Sequence, residues 1–362
     1  VRYAVLGQGY ISQIAVLPAF AHATRNSELA ALVSDDPVKL KTLGRKYGVS
    51  RLHSYAQIDE CLENVDAVYI ALPNSLHREY TERAADAGVH VLCEKPMAVT
   101  EEDCRAMIRA CRDNQVRLMI AYRLHFDAAN LTAVEAVKSG KLGDPRAFSS
   151  VFTMQVKEGN IRLKRALGGG TLYDIGIYCI NAARYLFREE PEEVFAFTAN
   201  NGEKRFREVE EMTGAILRFP GKRLASFTCS FGAADVSAYQ VVGTRGELRV
   251  DPAYEYAGEL KLMMTVKGRK QERSYAKRDQ FAPELLHFSD CILGEQDPQP
   301  GGEEGLADVR VIRALYESAA KGRPVRLPAH EAPPRPTKAK EVRRPPVRKP
   351  ELVGASSPSG DD

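Results

Sequence analysis

Tryptophan is missing from this 362-residue sequence, and so are long apolar runs. No stretch approaches the roughly 18 to 20 consecutive apolar residues that a membrane-spanning helix needs, which excludes an integral helical membrane protein. Net charge is almost absent: 51 basic against 48 acidic side chains leave a formal +3, which argues against a general nucleic-acid binder. Cysteine is sparse. Its seven copies (Cys61, Cys93, Cys104, Cys111, Cys179, Cys229 and Cys291) are odd in number, scattered and without a C-x-x-C pair, so no disulfide framework or metal cluster is expected. Cys104 and Cys111, seven apart in a predicted helix, suit the role of small apolar core residues. Reduced thiols point to a cytoplasmic protein. The sequence opens at Val1, just ahead of its first strand-like run, so a leader and export stay open.

What is present is enough apolar material, 44% of residues, to build one or two cores. The first third alternates short apolar runs with helical patterns. Strand-like runs at Tyr3–Leu6, Glu28–Ser34, Asp66–Leu72, His90–Cys93 and Val116–Tyr122 alternate with helices at Ser12–Ala23, Val38–Tyr47, His77–Ala87 and Glu101–Asp113, the last opened by a capping box of Thr100 and Asp103. This order predicts βαβ units and a parallel sheet buried on both faces. Beyond Tyr122 the rhythm changes. A helix at Asp127–Lys138, a strand at Arg146–Val156, a helix after Gly168–Gly170, several strands between Glu193 and Tyr275, and helices at Pro283–Leu293 and Glu303–Lys321 predict an α+β domain with a largely antiparallel sheet. The expected division is residues 1–122, residues 123–328, and a tail at 329–362. That tail is rich in proline and basic residues and has no aromatic side chain, so it is expected to be disordered.

The sharpest local motif is GQGYIS, Gly7 to Ser12, between the first strand and the first helix. Gly7 permits the tight turn, Gly9 lets a pyrophosphate approach the backbone, and Ser12 is the small residue at the helix–sheet contact; Tyr10 and Ile11 complete the loop. The helix N-terminus beyond it offers free N–H groups to phosphates. Cofactor choice turns on the end of the second strand. If Ser34 is the contact residue, with Lys39 close behind, the site favours NADP; if the register slips by one, Asp35 favours NAD.

Two further segments carry chemistry. CEKPM, Cys93 to Met97, puts Glu94 and Lys95 at a strand's carboxyl end, the edge where open α/β sheets bind ligands. In GGGTLYDIGIYCINAARYLF, Asp174, Tyr178, Asn181 and Tyr185 share one helical face, while Leu172, Ile175, Cys179, Ala182 and Leu186 form an apolar one. The three preceding glycines indicate a close backbone approach.

Taken together, GQGYIS, ALPNSLH (Ala71–His77), CEKPM, AYRLHFDAAN (Ala121–Asn130) and the GGGTLYDIGIYCIN segment resemble the Gfo/Idh/MocA oxidoreductase family, nearest its glucose-fructose oxidoreductase branch and the NADP-dependent xylose and dihydrodiol dehydrogenases. The resemblance covers about Val1 to Leu327. It implies a Rossmann domain followed by an α/β domain whose open sheet serves both the active site and assembly into a homodimer or homotetramer; charge and the lack of apolar runs lead us to expect no nucleic-acid or membrane partner. It implies that Lys95 reaches the nicotinamide–substrate junction, that Tyr178 is the general acid/base and that Asp174 orients Lys95 or a sugar hydroxyl. Leu72, Pro73, Asn74, His77, Glu94 and Arg123 match cofactor-lining positions, and Ser34 and Lys39 match the 2′-phosphate contacts of the NADP-binding branch. Arg162 is expected to touch substrate, although Ile161 stands where relatives often carry an aromatic residue. His125 is open between a structural and a substrate role.

The implied activity is NADP-dependent oxidation of an aldose at C1, or the reverse reduction. Dihydrodiol or cyclic-polyol oxidation is the alternative within the family, and a nucleotide-binding sensor the alternative outside enzymes. The chemistry is coherent: a free phenol is a weak base at neutral pH, and a neighbouring ammonium favours its ionised form.

Overall fold

The computed structural model describes residues 1–359. Six short strands, β1 (Arg2–Leu6), β2 (Glu28–Val33), β3 (Arg51–His53), β4 (Ala67–Ile70), β5 (His90–Glu94) and β6 (Leu118–Ala121), form a parallel sheet in the order β3-β2-β1-β4-β5-β6. Every residue of β4 and β6 is buried, as continuous apolar runs require when helices cover both faces. Strand order reverses between β1 and β4, which opens a crevice at their carboxyl ends. β3 is only three residues long and carries no periodic signal, so the sequence patterns pass over it.

The second sheet has nine strands: β7 (Pro145–Gln155), β8 (Glu193–Ala199), β9 (Met212–Phe219), β10 (Arg223–Ser230), β11 (Gly232–Gly243), β12 (Gly246–Val250), β13 (Leu260–Val266), β14 (Arg269–Tyr275) and β15 (Val325–Arg326). All neighbours pair antiparallel except β7 with β10. The alternating burial of β9 shows one face packed and one open. Helices Ile177–Phe187 and Gly302–Lys321 cover the packed face. Pairing register places Phe197, Ile216, Leu224, Val151 and Val242 together on the open face, each at least 38% exposed.

Two expected boundaries need correction. Residues 123–328 do not stay in one body, because the chain returns to the first sheet. Phe281, Leu285 and Phe288, around helix Ala282–Leu293, share a core with Tyr3, Phe20 and Tyr69, and the Tyr3 hydroxyl lies 2.7 Å from that of Ser289. Residues 329–359 are not a loose tail. They run extended across the molecule. Polar contacts hold them: Arg335 is 8% exposed and donates to Glu190 at 2.6 Å, Lys340 donates to the Gln299 carbonyl at 2.7 Å, and Arg344 to the His22 carbonyl at 3.1 Å, while Val342 and Val353 pack against the core. Composition weighs apolar burial against chain entropy. It misses a segment whose basic side chains find acceptors on a preformed surface and whose prolines lower the entropy of the free chain.

Candidate active site

The glycine loop forms because β1 and β4 converge at the switch point. A Cβ on Gly7 (φ +91°) would meet the Ala71 carbonyl oxygen at 2.5 Å, so only glycine passes here. Ser12 donates its hydroxyl proton to the Gly7 carbonyl at 2.5 Å and closes the turn onto the helical segment 12–22. Ahead of the loop lies a cleft of about 680 Å³. Gly7, Gly9, Tyr10 and Ile11 line one wall, and Leu72, Pro73 and Asn74 follow from the end of β4. At the end of β2 the wall is Ser34 and Lys39. Asp35 instead accepts the Tyr55 N–H at 3.0 Å, and Asp36 caps helix Pro37–Tyr47 through the N–H groups of Val38 and Lys39. Both acidic side chains thus accept from backbone donors, and the second oxygen of Asp36 also lies 3.8 Å from the Lys39 ammonium.

At the far end of the cleft, β5 delivers Glu94 and Lys95, and the segment after the three glycines delivers Asp174 and Tyr178. The glycines explain this delivery: a Cβ on Gly169 would lie 2.4 Å from the Arg162 carbonyl oxygen, so the chain can fold back only without one. Residues Leu172–Gly176 make a π-helical turn, a form common at functional sites, which leads into helix Ile177–Phe187. Lys95 donates to the Asp174 backbone carbonyl at 2.8 Å and to its carboxylate at 3.3 Å, and Arg162 donates to the other carboxylate oxygen at 2.6 Å. Two cations flank the Tyr178 ring: Lys95 Nζ lies 4.9 Å and the Arg123 guanidinium 5.0 Å from its centroid.

The charges are mutually compensated. Burial alone would lower the Lys95 pKa, but Tyr178, Asp174 and Glu94 outweigh it and hold it above the ordinary value. Burial would raise Asp174, yet Arg162 and Lys95 pull it below the usual carboxylate range. Glu94 is raised, chiefly by burial, and accepts a hydrogen bond from Tyr69 at 2.8 Å.

One cleft therefore gathers fifteen of the sixteen expected site residues, and His77 is the exception. It is fully buried, its ring nitrogens 2.9 Å from the Pro96 carbonyl oxygen and 3.0 Å from that of Leu72, and it ties the two loops together from behind. His125 is likewise buried, against the Asn181 side chain at 2.8 Å. Sequence reasoning missed Phe152, Thr153, Asp235, Tyr254 and Tyr256, which the second sheet and its loops bring into the cleft, and Gly354–Ser359 from the C-terminal segment. The Arg123 guanidinium also lies 5.3 Å from the centroid of the Tyr256 ring. The alternation Tyr254-Glu255-Tyr256 was a usable signal; Asp235 sits where the β11 register slips between Gly232 and Val236, and no pattern in the sequence announces that.

A doubly covered parallel sheet with a glycine loop at its switch point, facing a lysine–aspartate–tyrosine group on a second sheet domain, defines a dinucleotide-binding oxidoreductase architecture. Residues 1–122 match the oxidoreductase family with NAD-binding Rossmann fold, GFO/IDH/MocA, and residues 130–249 match the GFO/IDH/MocA C-terminal domain. The chain is 33% identical to a D-xylose 1-dehydrogenase [NADP(+)] of Haloarcula marismortui, over 90% of this chain and 93% of the relative. Among solved structures, an aldose-aldose oxidoreductase from Caulobacter crescentus complexed with glycerol superposes with a TM-score of 0.86 at 43% identity, covering 90% of this chain and 99% of that one. A 3-ketoreductase from Actinomadura kijaniata, in complex with NADP and TDP-benzene, gives 0.80 at 26% identity over 88% and 97%. The protein belongs to the GFO/IDH/MocA oxidoreductase family.

Proposed function

We infer that this protein is an NADP-dependent sugar oxidoreductase that oxidises an aldose at C1 or reduces the corresponding carbonyl. The observation that carries the reading is the Tyr178 ring between two cations, with Lys95 fixed by Asp174, opening into the cleft that begins at the glycine loop. The cleft residues fit a phosphorylated dinucleotide: Gly7 admits the close turn, and the end of β2 presents Ser34 and the cation of Lys39, which stands 3.8 Å from Asp36, while Asp35 and Asp36 each accept from backbone N–H groups. NADP is therefore favoured over NAD. Bound there, the nicotinamide would accept a hydride from the sugar carbon or return one to it.

The chain's own residues handle the proton and the charge. In oxidation Tyr178 acts as its phenolate, taking the proton of the reacting hydroxyl and becoming the phenol; in reduction the phenol donates that proton to the carbonyl oxygen. Lys95 and Arg123 stabilise the negative charge that builds on the phenol and the substrate oxygen. Asp174 is a positioning residue: its carboxylate and backbone carbonyl hold Lys95, and its second oxygen holds Arg162 at the cleft edge, where it can meet sugar hydroxyls. Two sugar-active relatives, the xylose dehydrogenase and the aldose-aldose oxidoreductase, support the substrate class. Spectrophotometric assay of the purified protein with NADP and NAD across aldoses, polyols and diols tests the reading. Turnover on at least one aldose with NADP is expected, and no turnover on any of them removes it. The apolar open face of the second sheet supports self-association as a dimer or tetramer, because an apolar patch of that kind is seldom left to water. Among the described residues no helix is long and apolar enough to cross a membrane.

A further inference from the structure

The C-terminal segment does more than lie on the surface. Its last described stretch, residues 351–359, crosses the mouth of the cleft from one domain to the other. On the near side Lys46 donates to the Glu351 carbonyl at 3.0 Å. Gln13, in the helical segment that starts at the glycine loop, then grips Val353 twice, accepting its N–H at 2.7 Å and donating to its carbonyl at 2.9 Å. Gly354 follows in a left-handed conformation (φ +54°), so close to Lys39 that an added Cβ would stand 3.0 Å from the lysine Cε. Ser356, Ser357 and Ser359 line the cleft, and on the far side the Pro358 carbonyl accepts the N–H of Lys157, just beyond β7, at 2.9 Å.

This path follows the cleft from the Ser34–Lys39 end toward the loop that carries Arg162. A dinucleotide lying in the cleft would have the strap above it, pinned on both sides. We propose that residues 351–359 are an intramolecular strap that retains the nucleotide, so that NADP(H) leaves only when the Gln13–Val353 pair and the Lys157–Pro358 bond open. This rests on the dinucleotide site proposed above. The strap can open as a unit: apart from Val353, packed against the core, and the buried Pro358, its anchors are a handful of hydrogen bonds, each of modest net strength. Losing the three bonds that flank the cleft should speed nucleotide release on the order of 100-fold, since such contacts are expressed mainly in the off-rate.

The test compares three forms of the protein: wild type, a truncation lacking residues 351–362, and Val353→Pro, which removes the N–H that Gln13 accepts and trims the contact of this side chain with the core. NADPH dissociation is followed by fluorescence in stopped flow, with thermal melting of each form as a check on folding. The expected result is slow release from wild type, release about 100-fold faster from the truncation, and an intermediate rate for Val353→Pro. Equal off-rates in all three forms overturn the strap while leaving the cofactor assignment standing. Tighter binding by the truncation also overturns it, because the strap would then compete with the nucleotide. Failure of every form, wild type included, to bind NADPH overturns the dinucleotide reading, and the strap with it.

Discussion

Tyr178 and His125 lie within one turn of each other's neighbours yet answer to different physics. Tyr178 faces the cleft between Lys95 and Arg123. Tyr178→Phe keeps the ring and its cation contacts but removes the transferable proton. It should lower kcat about 10²- to 10⁴-fold and leave NADPH affinity unchanged within a factor of about two, measured by steady-state kinetics and fluorescence titration. Unchanged kcat would mean that another group moves the proton. His125 is sealed off, and burial pushes its pKa down to about 4. Because the folded value lies below the ordinary value of about 6.5, the unfolded chain takes up this proton first. The contribution to stability is therefore present above about pH 6.5 and lost as pH falls through about 4. The ring shifts of His125 in NMR should show no titration above about pH 5.5, and a midpoint between about 6 and 7 would contradict its burial as a neutral side chain.

Between these residues and the whole chain stands helix Ile177–Phe187, which must hold Tyr178 against β5. A buried charge cluster fixes it. Arg184, with no exposed surface, donates to Glu190 at 2.8 and 2.9 Å, to Glu304 at 2.8 Å and to Asp308 at 2.5 Å, while Asn181 donates to Glu304 at 2.7 Å and Asp308 at 2.9 Å. Glu304 and Asp308 belong to helix Gly302–Lys321, so the cluster clamps the two helices together. Arg184→Met would leave Asp308 buried without a cation, and Glu190 and Glu304 with Arg335 alone. It should destabilise the fold by about 3 to 5 kcal/mol in denaturant unfolding, whereas a loss below about 1 kcal/mol would show that the helices are held by packing alone. The four-residue polar stripe legible in the sequence thus divides, with Asp174 and Tyr178 at the cleft, Asn181 in the clamp and Tyr185 buried in the core.

For the molecule as a whole, the open face of the nine-stranded sheet is the surface through which self-association is proposed. Ile216 and Leu224 are 51% and 50% exposed on adjacent strands. A carboxylate at the middle of such a face, Ile216→Glu, should shift the protein from dimer or tetramer to monomer in analytical ultracentrifugation while its thermal midpoint moves little. A wild-type protein that is monomeric at assay concentrations would refute assembly through this face.

Much of the first domain was legible in one dimension, because a parallel sheet buried on both faces needs uninterrupted apolar runs and a glycine loop needs its glycines in place. Gly7 could be picked out from its loop, whereas Lys95, Asp174 and Tyr178 stood out through the family resemblance that several motifs carry together. Other features depended on partners far along the chain. Whether Ser34 or an aspartate faced the cleft was settled by the Tyr55 N–H, which takes Asp35 away. Whether His77 lined the cleft or braced it was settled by two backbone carbonyls on different loops. The C-terminal segment is the clearest case. Its composition carries too little apolar area to order it alone, yet Gln13 holds Val353 across 340 residues of sequence. A pattern can announce a side chain's chemistry and its face on a helix or strand, but the acceptor that orders an extended chain exists only after the rest has folded.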